Sequence, residues 1–214
     1  MKIIEPSITI EDRFIHITQE DILKHIERAG RVCYKSEGRI EDGSAEKFVK
    51  RLLSSNPPHT SVLEHFSITV RIVCDRGVSH ELVRHRLASY SQESTRYCNY
   101  TGDKFGNEIT VIKPCYWEED SEDFANWKRA MFFAEEYYFR LINNGATPQE
   151  ARSVLPNSLK TEIVMTADLP EWRHVLKLRT SKAAHPQMRE IACMILREFS
   201  ARYPVIFGDI KTEV

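Results

Sequence analysis

Glycine is scarce in this 214-residue chain, with eight residues at 30, 38, 43, 77, 102, 106, 145 and 208. None forms a GxG, and no GxxxxGKS or GxxxxGKT run occurs. A dinucleotide fingerprint and a P-loop are therefore both missing, and any nucleotide is held by another route. The five cysteines (33, 74, 98, 115, 193) are odd in number, scattered and without a CxxC. That argues against a disulfide framework and a thiolate metal site, and it points to a reducing, cytoplasmic setting with no metal. Excess charge is missing too: 30 Lys+Arg against 31 Asp+Glu gives a formal net charge of -1. Without a global positive field the chain is not expected to coat nucleic acid, so an anion site must be local. Apolar runs are a few residues long, against the ~18–20 needed to cross a bilayer, so no membrane partner is expected. The opening MKIIEPSITIEDRF meets acid within five residues and lacks the apolar core of a signal peptide.

What is present is a mixture of two periodicities. Ile3–Ile10 reads as an edge strand interrupted by Pro6. Thr18 with Asp21 starts a helix carrying Ile22, Leu23 and Ile26, and Ser44 is expected to cap a second that stops at Asn56-Pro57-Pro58. Phe66, Ile68, Val70, Ile72 and Cys74 alternate as a half-buried strand. Residues 77–87 return to helical spacing, and the following segment is expected to be a loop. Residues 109–112 form a short strand, and Ser121–Asn143 is the longest helix. Thr147-Pro148-Gln149-Glu150 restarts a helix, Leu159 to Met165 alternate as a strand, Asp168-Leu169-Pro170-Glu171 starts a helix, and Met188–Phe199 is amphipathic. Trp127 and Trp172 sit at core spacings. With no repeat, linker or βαβ rhythm, 1–214 reads as a single domain of α+β (irregular α/β) class, a mixed sheet flanked by helices.

The densest chemistry is Arg84-His85-Arg86-Leu87-Ala88-Ser89-Tyr90-Ser91-Gln92-Glu93-Ser94-Thr95-Arg96. Guanidinium forks match phosphate oxygens and hydroxyls add donors, each bond to a charged group contributing about 1.5–3 kcal/mol. Three or four such bonds could hold a phosphomonoester. A solvated basic face paired to Glu81 and Glu93 is the alternative. His59, Ser61, Glu64 and His65 cluster before the central strand, as acid/base partners, metal ligands or groups satisfying strand ends. Arg152 and Arg179 each have a local explanation, as a snorkelling arginine and as a cation at a helix C-terminus. Neither Cys98 nor Cys115 has a neighbouring histidine, so no cysteine nucleophile is argued.

Taken together, these clusters resemble the flavin-dependent thymidylate synthases. RHR followed by seven residues and Ser (Arg84–Ser94) resembles the family signature; His59 with Glu64-His65, Ala29–Tyr34, Ala151–Pro156, and Leu178-Arg179 with His185-Pro186-Gln187 resemble its other elements, in order. The resemblance implies synthesis of dTMP from dUMP. Methylenetetrahydrofolate is the one-carbon donor and FAD, reduced by NADPH, the hydride source, in a homotetramer with shared active sites. It places Ser61, Glu64, Arg84, His85, Arg86, Gln92, Asp168 and His174 at the flavin. Glu81, Arg84, Gln92, Ser94, Arg96, Arg152 and Arg179 fall at dUMP, with Arg179 the catalytic cation beside N3 of the uracil. A fixed positive charge there favours the ionised pyrimidine and raises electron density at C5. Cys33 stands where the family often has Ser. A non-catalytic nucleotide- or flavin-binding module is the competing class.

Overall fold

The computed structural model describes residues 1–11 and 16–212, which form two compact units. The first comprises 1–7, 72–84 and 90–164, the second the described residues within 8–71, 85–89 and 165–212. The two longest strands, of nine residues each, are β3 (Ser67–Asp75) and β6 (Lys160–Asp168). With β2 (Ser7–Ile10) and β4 (Ala88–Gln92) they form a four-stranded sheet of order β2-β3-β6-β4. A smaller parallel sheet pairs β1 (Lys2–Ile4) with β5 (Thr110–Ile112), Ile3 opposite Val111. The class is mixed α+β, as the interleaved periodicities predict.

The expected single edge strand over 3–10 is in fact two strands in different sheets. Pro6 has no N–H to donate to a ladder, and the chain changes sheet on either side of it. β2 keeps the edge position. The segment after the third helix also differs from expectation, because residues 88–92 are strand rather than loop. The alternation of half-buried Ala88, Tyr90 and Gln92 with exposed Ser89 and Ser91 is a period-two signal that the density of arginines masked.

Unit 1 packs α3 (Arg76–Leu82), the 22-residue α4 (Glu122–Asn143) and the short α5 (Pro148–Ala151). Asp75 accepts from the Val78 N–H at 2.7 Å to cap α3, and Ser121 caps α4. The capping box predicted at Thr147 and Glu150 is present, with Pro148 at the first helical position. Trp127, Met131 and Tyr138 of α4 pack with Val111 and Leu159 in one apolar cluster.

Unit 2 contains α1 (Gln19–Arg31), α2 (Ser44–Ser54), α6 (Leu169–Arg179), α7 (Pro186–Arg202) and α8 (Pro204–Phe207). Thr18 and Asp21 form the expected capping box of α1. Ser44 is not a cap. Gly43, in the left-handed region at φ 74°, takes that place, and the Ser44 hydroxyl donates to Glu27 at 2.7 Å instead. Glu27 is thereby satisfied on both oxygens, because Arg31 donates to the other at 2.6 Å. Trp172 is fully buried: its indole N–H donates to the Ile68 carbonyl at 2.9 Å and its ring meets Phe199 edge-on at 5.3 Å.

Helices α1 and α2 meet at Gly30. A Cβ there would come within 2.6 Å of the Phe48 ring and 2.9 Å of a Val62 methyl, closer than real carbon atoms approach. Gly30→Val is expected to destabilise the protein by about 2 kcal/mol or more through overpacking, read as a lowered urea midpoint at unchanged slope. A midpoint equal to wild type would show that the two helices do not meet there.

Candidate functional site

The residues singled out from the sequence divide between the two units. Unit 1 carries Glu81, Arg84, Gln92, Ser94, Arg96 and Arg152, and unit 2 carries Ser61, Glu64, His85, Arg86, Asp168, His174 and Arg179. The expected dUMP set, apart from Arg179, thus lies on one unit. The expected flavin set, apart from Arg84 and Gln92, lies on the other.

In unit 1 the carrier is β4 and the turn that follows it. Gln92 is held from inside: its amide N–H group donates to Ser79 Oγ at 2.9 Å and to Thr161 Oγ1 at 3.1 Å. Ser79 donates its own hydroxyl proton to the Arg76 carbonyl at 2.9 Å, so toward Gln92 it acts as acceptor. This fixes the amide with nitrogen inward. Beyond it the chain turns tightly, with the Tyr97 and Cys98 N–H groups donating to the Ser94 carbonyl at 3.2 and 3.0 Å and the Arg96 N–H to Ser94 Oγ at 3.3 Å. Arg84, Arg96 and Arg152 are exposed. Arg96 lies over the Tyr97 ring at 5.4 Å, and Arg152 donates to the buried Thr95 hydroxyl at 3.4 Å. The chain thus presents guanidinium groups and a serine hydroxyl on short, well-tied segments.

In unit 2 the centre is His85, which is buried. Arg179, at the end of α6, donates its Nε–H to His85 Nε2 at 3.0 Å. That nitrogen must carry a lone pair, so the ring is neutral with its proton on Nδ1, which faces Glu171 Oε1 at 3.6 Å. Burial, reinforced by the Arg179 charge and then by His174, pushes the His85 pKa down to about 4. His174 is exposed, its ring edge-on to His85 at 5.9 Å. Arg179 was expected to serve as a cation at a helix end. In the fold it is also oriented by a neutral imidazole, a partner ninety-four positions away that no local pattern reveals. Asp168 has a structural task, accepting from the Glu171 N–H at 2.8 Å to cap α6. That leaves its second oxygen as the group that could meet a ligand. Ser61, Glu64 and Arg86 are exposed.

Unit 2 also holds a cavity of about 730 Å³ that takes in Ser61 and His59. Its walls include Arg31, Arg39, Arg51 and Phe48, with Arg31 and Arg51 lying against the Phe48 ring at 5.0 and 6.0 Å. Arg31 is neutralised by Glu27, so the charge offered here comes from Arg39 and Arg51; guanidinium charge beside an apolar ring suits an anionic ligand that carries a flat ring system, a donor set that fits FAD. Sequence reasoning passed over Phe48, which reads as core, and Arg39 and Arg51, which read as solvated charge. Only their convergence distinguishes them. Among the described residues no group of three or more His, Cys, Asp or Glu is placed to hold a metal ion, and no helix is long and apolar enough to cross a membrane.

Fold and side chains together define a mixed α+β protein with exposed guanidinium groups on both units. Residues 15–205 match the family model described as thymidylate synthase complementing protein. The chain is 37% identical over 165 residues to the flavin-dependent thymidylate synthase of Pyrococcus furiosus, covering 77% of this chain and 66% of that one. It is 38% identical over 164 residues to the enzyme of Thermococcus kodakarensis, covering 76% and 65%. To that of Geobacter sulfurreducens it is 34% identical over 188 residues, covering 85% and 78%. The match therefore spans just under two thirds of the two archaeal relatives. Its fold is similar to the UMP/dUMP methylase PolB of Streptomyces cacaoi bound with 5-Br dUMP, at TM-score 0.78 and 23% identity over 97% of this chain and 96% of that one. Thymidylate synthase X of Helicobacter pylori, solved with FAD and dUMP, superposes at TM-score 0.72 and 24% identity, over 88% and 93%. The chain belongs to the flavin-dependent thymidylate synthase family.

His85 makes a pH prediction. An unfolded histidine titrates near 6.5 whereas the folded one is held at about 4, so as pH falls the unfolded state takes the proton first. The stability this group confers is complete above pH 6.5 and is lost as pH falls toward 4. Urea midpoints between pH 7 and 4.5 are expected to fall less steeply in His85→Gln than in wild type; parallel profiles would mean that His85 is not held neutral.

Proposed function

We propose that this chain is a thymidylate synthase that makes dTMP from dUMP, with methylenetetrahydrofolate as one-carbon donor and FAD and NADPH as the hydride source. The observation that carries the reading is Arg179, a permanent cation oriented through Nε by a buried, neutral histidine. In this reading Arg84, Ser94, Arg96 and Arg152 bind the nucleotide through its phosphate and sugar, with Glu81 and Gln92 completing the pocket. Arg179 stands beside N3 of the uracil, where its charge favours the ionised ring and pushes electron density to C5, the carbon that is alkylated. The neutral state of His85 matters here, because a second proton on the ring would compete with the substrate for the same field and break the bond from Arg179.

Ser61, Glu64, Arg84, His85, Arg86, Gln92, Asp168 and His174 would hold FAD, which when bound supplies the hydride that completes the methyl group. No cysteine on the chain is assigned as nucleophile, in keeping with buried Cys74, whose thiol is pushed far up by burial. Residues 1–214 act as one functional unit in the cytoplasm, and four copies share the active sites. A non-catalytic binding module would keep ligand binding and lack turnover.

Tritium release from dUMP labelled at C5, dependent on both NADPH and methylenetetrahydrofolate, tests the reading directly. Arg179→Ala is expected to retain FAD and to lose about a hundredfold or more in turnover, the usual effect of removing a group that stabilises developing charge; turnover near wild type removes Arg179 from the chemistry. Arg86→Ala is expected to lower flavin content more than it weakens dUMP, and the reverse order would exchange the two assignments. Sedimentation that gives a monomer would remove the shared sites.

A further inference from the structure

Between Gln92 and Ser94 lies a residue to which neither the motif nor the comparisons give a task. Glu93 is tied at four points. Its N–H donates to the Glu162 carbonyl at 2.8 Å and its own carbonyl accepts from Arg76 Nη1 at 3.5 Å. One carboxylate oxygen accepts from Lys160 Nζ at 2.7 Å, and the other from the Tyr100 hydroxyl at 3.1 Å. The Glu93 side chain is 13% exposed and Lys160 24%, so the pair is far drier than a surface salt bridge. Tyr100 is buried and is itself held: its ring meets Phe105 at 5.1 Å and Tyr138 at 5.7 Å, and its N–H donates to the Tyr138 hydroxyl at 3.4 Å.

The consequence is mechanical. Ser94 and Arg96 follow Glu93 within three residues, and Arg96 is exposed with its guanidinium over the Tyr97 ring. The turn they occupy has its own hydrogen bonds at the Ser94 carbonyl, which set its shape but not its direction. Direction comes from outside the turn: from the Arg152 bond to buried Thr95 and, more strongly, from the residue before it, whose carboxylate is clamped to the apolar cluster around Tyr100, Trp127 and Tyr138. Releasing that carboxylate would leave the Lys160 ammonium with Glu162 at 4.0 Å, and a buried phenol without its acceptor. The ground state would then have several turn orientations in place of one, and ligand binding would have to select among them.

We propose that Glu93 is a positioning residue that aims the Ser94–Arg96 turn at the nucleotide by clamping its start to Lys160 and Tyr100. The inference rests on the reading of that turn as part of the dUMP site. It predicts an effect on substrate affinity that is separate from turnover and from flavin content.

The test uses the FAD-loaded enzyme with Glu93→Ala, Glu93→Gln and, as a control for general loss of stability, Met131→Ala in the same apolar cluster. Glu93→Ala is expected to raise KM for dUMP by about tenfold or more, the scale of one lost bond to a charged group, with kcat and flavin content within about twofold of wild type. Glu93→Gln keeps an acceptor for Tyr100 and is expected to recover part of that loss. Amide exchange at Tyr97 and Cys98 should be several-fold faster in Glu93→Gln than in wild type, a readout that needs neither substrate nor a well-folded alanine variant. KM unchanged in the Glu93 variants, equal exchange, or an equal rise in KM for Met131→Ala would each overturn the proposal. Wild-type enzyme that binds flavin but neither binds nor converts dUMP would instead overturn the reading of the turn, and this proposal with it.

Discussion

Everything positioned in this protein hangs from two nine-residue strands whose alternate side chains have nowhere to go but inward. On β3, Ile68, Val70, Ile72 and Cys74 are fully buried, and on β6 so are Thr161, Ile163 and Met165. A one-residue slip in either strand would exchange the buried and half-buried faces, which makes the register costly to change. The groups that matter chemically inherit that register. Thr161 is inward, and so it meets the Gln92 amide. Asp168 ends β6, and so its carboxylate caps α6, the helix that carries Glu171, His174 and Arg179. The Thr69 and Thr166 hydroxyls meet at 2.8 Å on the half-buried face.

A second constraint is electrostatic. A chain of nearly zero net charge places cationic side chains in short segments, and the fold manages them by different means. Arg31 is buried against Glu27, and Arg173, also buried, forms a bidentate pair with Asp209 whose carboxyl is held below its usual range by that contact. Arg179 instead faces a histidine kept neutral by burial. The first two pairings cancel charge; the third is a hydrogen bond to a neutral ring that fixes the direction of the guanidinium.

Much of the element list was legible before the fold, because caps and periodicity are local. The Thr18 and Thr147 boxes are present, the long helix expected over 121–143 spans Glu122–Asn143, and the alternations over 66–74 and 159–165 fall on the strands Ser67–Asp75 and Lys160–Asp168. The failures have physical causes of their own. Ser44 has the right chemistry for a cap, but Gly43 can adopt φ 74° without strain, and the buried Glu27 carboxylate took the hydroxyl. Arginine density around residue 84 hid a strand at 88–92. The site was legible as a set of residue types and a family resemblance, while the partners that orient those residues were not: Glu171 for His85, Ser79 and Thr161 for Gln92, and Thr95 for Arg152.

The amino-acid order alone determined where helices start, which strand faces are apolar, that no glycine loop holds a phosphate, and which arginines are candidates. These follow from interactions within about five residues, whose outcome does not depend on the rest of the chain. Tertiary structure decided which side chain holds each of these arginines, that His85 stays uncharged, and that a cavity opens beside Phe48. Those outcomes depend on burial and on partners tens of residues distant, and desolvation is a property of the packed environment rather than of any segment.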